Sequence, residues 1–267
     1  MDTTVAQLYR IHSDTVLERA AQTIARTLAR LSPDTSIPTF FRADDVGVPS
    51  QNFFALIETF ARRRMVLCLA VVPAWLTRSR WEAVRRCTDP HSHLWCWHQH
   101  GWNHANHERT GKKCEFGPSR SEWDLRSDLR RGRQRLETII GTEFSPFFTP
   151  PWNRCSSAVL DLLLQLGFHG VSRSSGEQKT PAPLPDCFIN VDLHTRKEPD
   201  PASSLDNLCS EFERAIRCGH LGIMLHHQRM NDGAFAVLDG LLAVIAAEPR
   251  LQPVDFNHFI ETGPSPR

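Results

Sequence analysis

Short apolar segments alternate with longer amphipathic segments along most of the chain, and this alternation constrains the fold more than any other feature. The predicted strands are residues 39–42, 65–72, 94–97, 146–149, 168–171, 188–193 and 221–225. The predicted helices are residues 15–31, 52–63, 77–87, 121–140, 156–166, 203–218 and 234–247. Strands that alternate with helices in this way form parallel sheets with helices packed on them. The sequence therefore predicts an α/β protein.

A parallel sheet can stay open or close into a barrel, and two features of the sequence favour the barrel. The first predicted strand is not followed by the glycine-rich phosphate loop of dinucleotide-binding open sheets. Polar residues directly follow several predicted strands, and in β/α barrels the chemistry lies at the carboxyl ends of the strands. We therefore predict barrel-like closure in a single domain of residues 1–267, with an N-terminal helical extension at 1–37.

The charge balance and the apolar segments exclude several classes of partner. The chain has 31 basic and 30 acidic residues, so it carries no overall charge that would favour nucleic acid or an anionic membrane. The longest apolar stretch, 65–76, contains Pro73 and is too short for a transmembrane segment. Residues 1–10 lack the apolar core of a secretory signal. The eight cysteines form no C-x-x-C pair, so we predict free thiols and a cytoplasmic location.

Two adjacent carboxylates, Asp44 and Asp45, follow the first predicted strand and precede Gly47. In a site partly shielded from water, ionisation of two adjacent carboxylates is energetically costly unless a cation is present. A bound metal resolves this conflict if one carboxylate is a ligand and the other acts as a base. The alternative is a turn that caps the following helix, and for this pair taken alone we prefer that alternative.

Six of the thirteen histidines lie between His91 and His107. His100 and His104 are four residues apart, and in a helical turn this spacing points both imidazoles the same way. Imidazole nitrogens are common zinc ligands, so we predict that these two histidines bind a metal. We interpret His91 and His93 instead as solvent-facing side chains of a polar loop.

A proline-rich segment follows the fourth predicted strand and contains Pro150, Pro151, Trp152 and Asn153. The prolines stiffen the loop, and Trp152 would form one wall of a sugar-sized groove. The backbone N–H of Trp152 would also be placed to face a developing oxyanion. A rigid structural turn around a packed tryptophan is the alternative, and by itself this segment fits that alternative better.

The last predicted strand ends in His226 and His227, and a histidine at a strand end can act as a general acid near neutral pH. Side chains alternate along a strand, so the two histidines point in opposite directions. We predict that His226 faces inward, because this register turns Ile223 and Leu225 toward the helices.

In this order, the four segments resemble the polysaccharide deacetylases with a NodB homology domain, carbohydrate esterase family four, in a divergent branch. The resemblance covers residues 40–227. It implies a distorted (β/α)7 barrel and a metal-dependent hydrolase that removes an N-acyl group, expected to be acetyl, from an amino sugar or sugar-like substrate. The alternatives are a metal hydrolase of another amide or ester, and a non-catalytic carbohydrate-binding module with the same fold.

The resemblance also implies a role for each residue of the four segments. Asp44 would be the general base and His226 the general acid. One divalent metal ion, expected to be zinc, would be bound by Asp45, His100 and His104. The residues that match the family's substrate groove are Pro151, Trp152 and Asn153.

Two positions depart from the family pattern. The groove motif of the family begins with an arginine that orients the base, and Thr149 stands at that position here. Arg42, Arg120 and Arg154 are the candidates to replace it. The family's further Asp/Trp motif has Asp192 as its nearest match.

Overall fold

The computed structural model describes residues 4–177 and 180–261, and its strands form one parallel sheet. The strands are β1 (Ile37–Val46), β2 (Leu67–Val71), β3 (Trp95–His100), β4 (Phe144–Thr149), β5 (Gly170–Val171), β6 (Val191–Asp192), β7 (Leu221–Leu225) and β8 (Leu251–Pro253). Their order in the sheet is β5-β4-β3-β2-β1-β7-β6, and β8 pairs with the amino end of β1.

Helices cover the outer face of the sheet. They are α1 (Ser13–Leu28), α2 (Gln51–Arg63), α3 (Arg78–Thr88), α4 (Glu122–Ile140), α5 (Ser157–Gln165), α6 (Pro201–Arg217) and α7 (Asp232–Ala247). The short α8 (His258–Glu261) instead carries Phe259 into the barrel interior. Several begin at polar caps: the Ser50 hydroxyl accepts the Phe53 N–H, and the Asp200 carboxylate accepts the Ser203 N–H. Within the described residues, no helix is long and apolar enough to cross a membrane.

The segment of residues 185–190 is hydrogen-bonded to both ends of the sheet. The Cys187 N–H donates to Val171 O (2.8 Å) and the Ile189 N–H donates to Arg173 O (2.7 Å), beside β5. The next N–H, from Asn190, donates to Gly222 O of β7 (3.0 Å). The sheet is therefore curled into a distorted α/β barrel, which confirms the predicted fold class.

Two apolar layers lie on the two faces of this curled sheet. Side chains alternate along β1, so Phe40 faces the barrel interior while Phe41 packs toward the helices. The interior cluster is Phe40, Cys68, Cys96, Phe147, Cys187, Ile189, Met224, Phe256 and Phe259. Its ring contacts include Phe256 with Phe40, at a centroid distance of 5.4 Å. Apolar side chains thus fill the interior below the carboxyl ends of the strands. All eight cysteines are free, as predicted.

Candidate active site

A cavity of about 1160 Å³ lies at the carboxyl ends of the strands, where β/α barrels carry their chemistry. Asp44 and Asp45 reach it from β1, His100 from the end of β3, and His226 from the residue after β7. Three segments that are far apart in the sequence therefore contribute to one cavity. This placement follows from the parallel topology, because all the strand ends meet at the same edge.

Asp45, His100 and His104 form a cluster that could hold a metal ion. One ligand atom from each lies within 4.8 Å of the other two. Asp45 Oδ1 is 3.3 Å from His100 Nε2 and 3.1 Å from His104 Nε2. This oxygen is buried, and among the described residues no donor makes a well-formed hydrogen bond to it. The Asp45 carboxylate thus has a buried oxygen without a well-formed hydrogen bond from the part of the chain that the structure describes, and two imidazoles lie beside it. This set of ligands fits a divalent cation such as zinc.

Asp45 points into the same cavity as Asp44 because β1 is distorted at this residue. Adjacent residues of a regular strand point to opposite faces. Asp45 has a φ of +61°, in the left-handed region, and the pairing of β1 with β2 shifts register between Ala43 and Val46. Burial raises the pKa of Asp45, but the imidazoles of His100, His226 and His104 outweigh it and lower the pKa below its ordinary value.

His100 and His104 converge, but the predicted helical turn between them is wrong. His100 is the last residue of β3, and its Nδ1 lies 2.9 Å from Thr149 O, which leaves Nε2 directed toward Asp45. The chain then reverses at Gly101, with a φ of +61°, and His104 has a φ of +59°. Two left-handed residues, rather than one helical turn, bring the second imidazole back to the first.

Asp44 is held by Arg42, the residue two positions earlier on the same face of β1. Arg42 Nε and Nη2 donate to the two carboxylate oxygens of Asp44 at 2.7 and 2.8 Å, and both side chains are buried. Arg42 also donates to Ser172 Oγ (2.8 Å) and to Asn153 Oδ1 (2.6 Å). Burial raises the pKa of Asp44, but the Arg42 guanidinium, together with the imidazoles of His100 and His226, outweighs it and lowers the pKa below its ordinary value.

Arg42 is therefore the candidate arginine that contacts the predicted base. Arg120 pairs instead with Asp128 at 2.7 Å, and Arg154 donates to the Lys113 carbonyl at 3.2 Å. The Arg42 pair is bidentate, which fixes the orientation of the carboxylate as well as its charge.

His226 lines the cavity, whereas His227 lies outside it. The His227 side chain is buried against Phe53 of α2, with ring centroids 5.6 Å apart, and burial lowers its pKa to about 4. The His226 backbone N–H donates to His194 Nδ1 at 3.1 Å. Asp192 accepts the backbone N–H groups of His194 and Thr195 at 3.0 and 2.9 Å, so its carboxylate stabilises the turn at residues 192–195.

The predicted groove residues are divided between the cavity wall and the layer behind it. Trp152 and Asn153 line the cavity, both with left-handed backbones (φ +56° and +61°). Pro151 is buried and packs against Gly101. His91 and His93 lie in a 3-10 helix, Asp89–Leu94, rather than in a loop, and neither lines the cavity; His93 is exposed and His91 is half-buried.

Sequence reasoning missed Trp75, which lines the cavity after the carboxyl end of β2. Its ring and the ring of Trp152 both pack on His104, at centroid distances of 5.8 and 4.4 Å. The signal for Trp75 was an aromatic residue soon after a buried strand, in the run Val72-Pro73-Ala74-Trp75.

No protein-family model and no curated protein matches this chain. A solved protein from Mycobacterium smegmatis, provisionally named a polysaccharide deacetylase, has 16% identity and a TM-score of 0.64, over 89% of this chain and 96% of that one. A family 4 carbohydrate esterase from Streptomyces lividans, in complex with acetate, has 14% identity and a TM-score of 0.52, over 87% and 97%. A pseudoenzyme of that family from Bacillus anthracis has 13% identity and a TM-score of 0.55, over 85% and 66%. This chain therefore has the fold of the family four carbohydrate esterases and polysaccharide deacetylases.

Proposed function

We propose that this protein is a metal-dependent hydrolase that removes an N-acyl group, expected to be acetyl, from an amino sugar or sugar-like substrate. The observation that carries the proposal is the composition of one cavity. Asp45, His100 and His104 converge there as a candidate zinc site, and Asp44 and His226 line the same cavity. Metal ligands, a base and an acid at one set of strand ends are the parts that amide hydrolysis needs.

The proposed base is Asp44, which takes a proton from the attacking water. When bound by the three ligands, a divalent ion supplies Lewis-acid chemistry, which polarises an acyl carbonyl and makes water a better nucleophile near neutral pH. Arg42 holds both oxygens of Asp44 and favours its ionised form, so Arg42 acts as a positioning residue. The contact expected of the family's groove arginine is thus supplied from β1.

The proposed acid is His226, which donates a proton to the departing amine nitrogen. His226 is the residue that follows β7, and its backbone N–H donates to His194 Nδ1. Trp152 and Trp75 lie beside His104 and offer flat walls against which a sugar ring can pack. The Arg42–Asp44 pair supplies the contact that the missing groove arginine would make, and this favours the catalytic proposal over the non-catalytic alternative.

Acetate release from a panel of acylated compounds tests the proposal. The zinc-loaded chain is expected to deacetylate N-acetylglucosamine oligomers, to lose this activity on chelation, and to regain it on addition of Zn²⁺. An aryl acetate ester and an N-acetylated amino acid are included as competing substrate classes. Turnover of these alone would favour a hydrolase of another amide or ester, and no turnover of any compound would contradict the proposal.

Single alanine variants of the two adjacent histidines test the assignment of the acid. His226→Ala is expected to lower kcat by about 10²–10⁴-fold, the usual effect of removing a positioned acid or base. It should also remove the alkaline limb of the pH–rate profile, because the acid must be protonated to donate. His227→Ala is the matched control and should keep that limb, since His227 packs against Phe53. Loss of the limb in His227→Ala alone would reverse the assignment.

A further inference from the structure

The turn that carries His104 is built around a buried carboxylate that the proposed chemistry does not use. Glu115 is fully buried. Its Oε1 accepts the backbone N–H groups of Trp102 (3.2 Å) and Asn103 (2.8 Å), and its Oε2 accepts the N–H of His104 (3.2 Å). Three successive backbone N–H groups therefore point at one carboxylate, as in the anion-binding concavities that turns can form.

The backbone of this turn depends on its surroundings. Gly101 begins the turn, and a Cβ atom there would lie 2.1 Å from Glu115 Oε2 and 2.5 Å from Pro151 Cγ. A glycine is therefore required for the carboxylate to approach. His104 ends the turn with a φ of +59°, which is uncommon for residues other than glycine. Such a conformation persists only where neighbouring groups hold it, and the Glu115 carboxylate, which accepts the His104 N–H, is one of those groups.

We propose that Glu115 is a positioning residue for the metal site, where its carboxylate holds the 102–104 turn so that the His104 imidazole faces Asp45. This inference rests on the proposed function, because it takes Asp45, His100 and His104 as the metal ligands. His104 Nε2 lies 3.1 Å from Asp45 Oδ1. His100 is oriented through its ring by Thr149 O, whereas His104 is oriented through its backbone by Glu115.

Glu115→Gln tests the inference with little change in shape. One of the two terminal atoms of glutamine is a donor, so in either orientation at least one of the three N–H bonds is lost. We expect the affinity for Zn²⁺ to fall about 10–100-fold, the usual effect of removing a group that orients a metal ligand. The measurement is competition with a chromophoric chelator. The absorption spectrum of the Co²⁺-substituted variant should also change, because it reports ligand geometry.

Glu108→Gln is the matched control, since Glu108 lies in the same loop and accepts hydrogen bonds from Ser119 instead of the 102–104 turn. It should bind Zn²⁺ as the wild-type chain does. If circular dichroism shows that Glu115→Gln is unfolded, Glu115→Asp, which keeps both oxygens on a shorter side chain, gives the same readout.

Three outcomes overturn the inference, and they can be told apart. Wild-type affinity in a folded Glu115 variant removes the positioning role and leaves the proposed metal site intact. An equal loss in Glu108→Gln shows that the effect is not specific to the 102–104 turn. A wild-type chain that binds no Zn²⁺ overturns the proposed function itself, and the role of Glu115 with it.

Discussion

Asp44→Asn is expected to lose turnover by about 10²–10⁴-fold or more while the metal stays bound, because an amide cannot accept the proton of the attacking water. Asp44 is held by Arg42, and the proposed metal ligands are other side chains. The variant should therefore keep wild-type Zn²⁺ stoichiometry in elemental analysis. Its activity is measured as acetate release at saturating Zn²⁺.

Asp45→Asn is the matched control, because it makes the same chemical change at the adjacent residue. It removes the charge of the carboxylate that lies 3.1 and 3.3 Å from the two histidines. Here the expected loss is of Zn²⁺ affinity first, with activity lost as a consequence. If Asp44→Asn lost the metal and Asp45→Asn kept it, the roles of the two aspartates would be exchanged.

Arg42→Met is expected to lower the free energy of unfolding by about 3–5 kcal/mol, the usual effect of removing one partner of a buried ion pair. The side chain of Arg42 is fully buried, so methionine leaves the buried Asp44 carboxylate without its cation. It also removes the donor to Ser172 Oγ and to Asn153 Oδ1. Urea unfolding of the metal-free variant measures the effect.

The double variant Arg42→Met, Asp44→Asn separates the charge effect from the packing effect. Because it removes the uncompensated carboxylate, it should be more stable than Arg42→Met alone. Arg120→Met is the control outside the site, since Arg120 pairs with Asp128 at 2.7 Å. Equal instability of the single and double Arg42 variants would mean that lost packing, rather than the unpaired charge, dominates.

The fold could be predicted from the sequence because burial of a parallel sheet leaves a strong pattern of apolar runs. The errors lie where the pattern is weak. β1 continues through Val46, beyond the predicted end at residue 42. The prediction stopped early because the adjacent carboxylates Asp44 and Asp45 resemble a loop. β8 was not predicted, since of its three residues Leu251 alone is buried.

Most residues of the candidate site were predictable from the sequence, whereas Trp75 and the geometry of the site were not. The sequence predicted the site residues at strand ends, because parallel strands bring their carboxyl ends together. These residues are Asp44, Asp45, His100 and His226. The Glu115 carboxylate that accepts the His104 N–H lies eleven residues later, and nothing in the local sequence marks that glutamate as the acceptor. Long-range hydrogen bonds of this kind leave no periodic signal.

The left-handed backbone at Asp45 also determines how easily the proposed chemistry could be lost. Asparagine tolerates this conformation as well as aspartate does, and glycine tolerates it better. Either residue would remove the carboxylate ligand without straining β1, and the barrel interior below it would stay packed. A single substitution at residue 45 would thus abolish the proposed activity and leave a folded chain that keeps the same cavity.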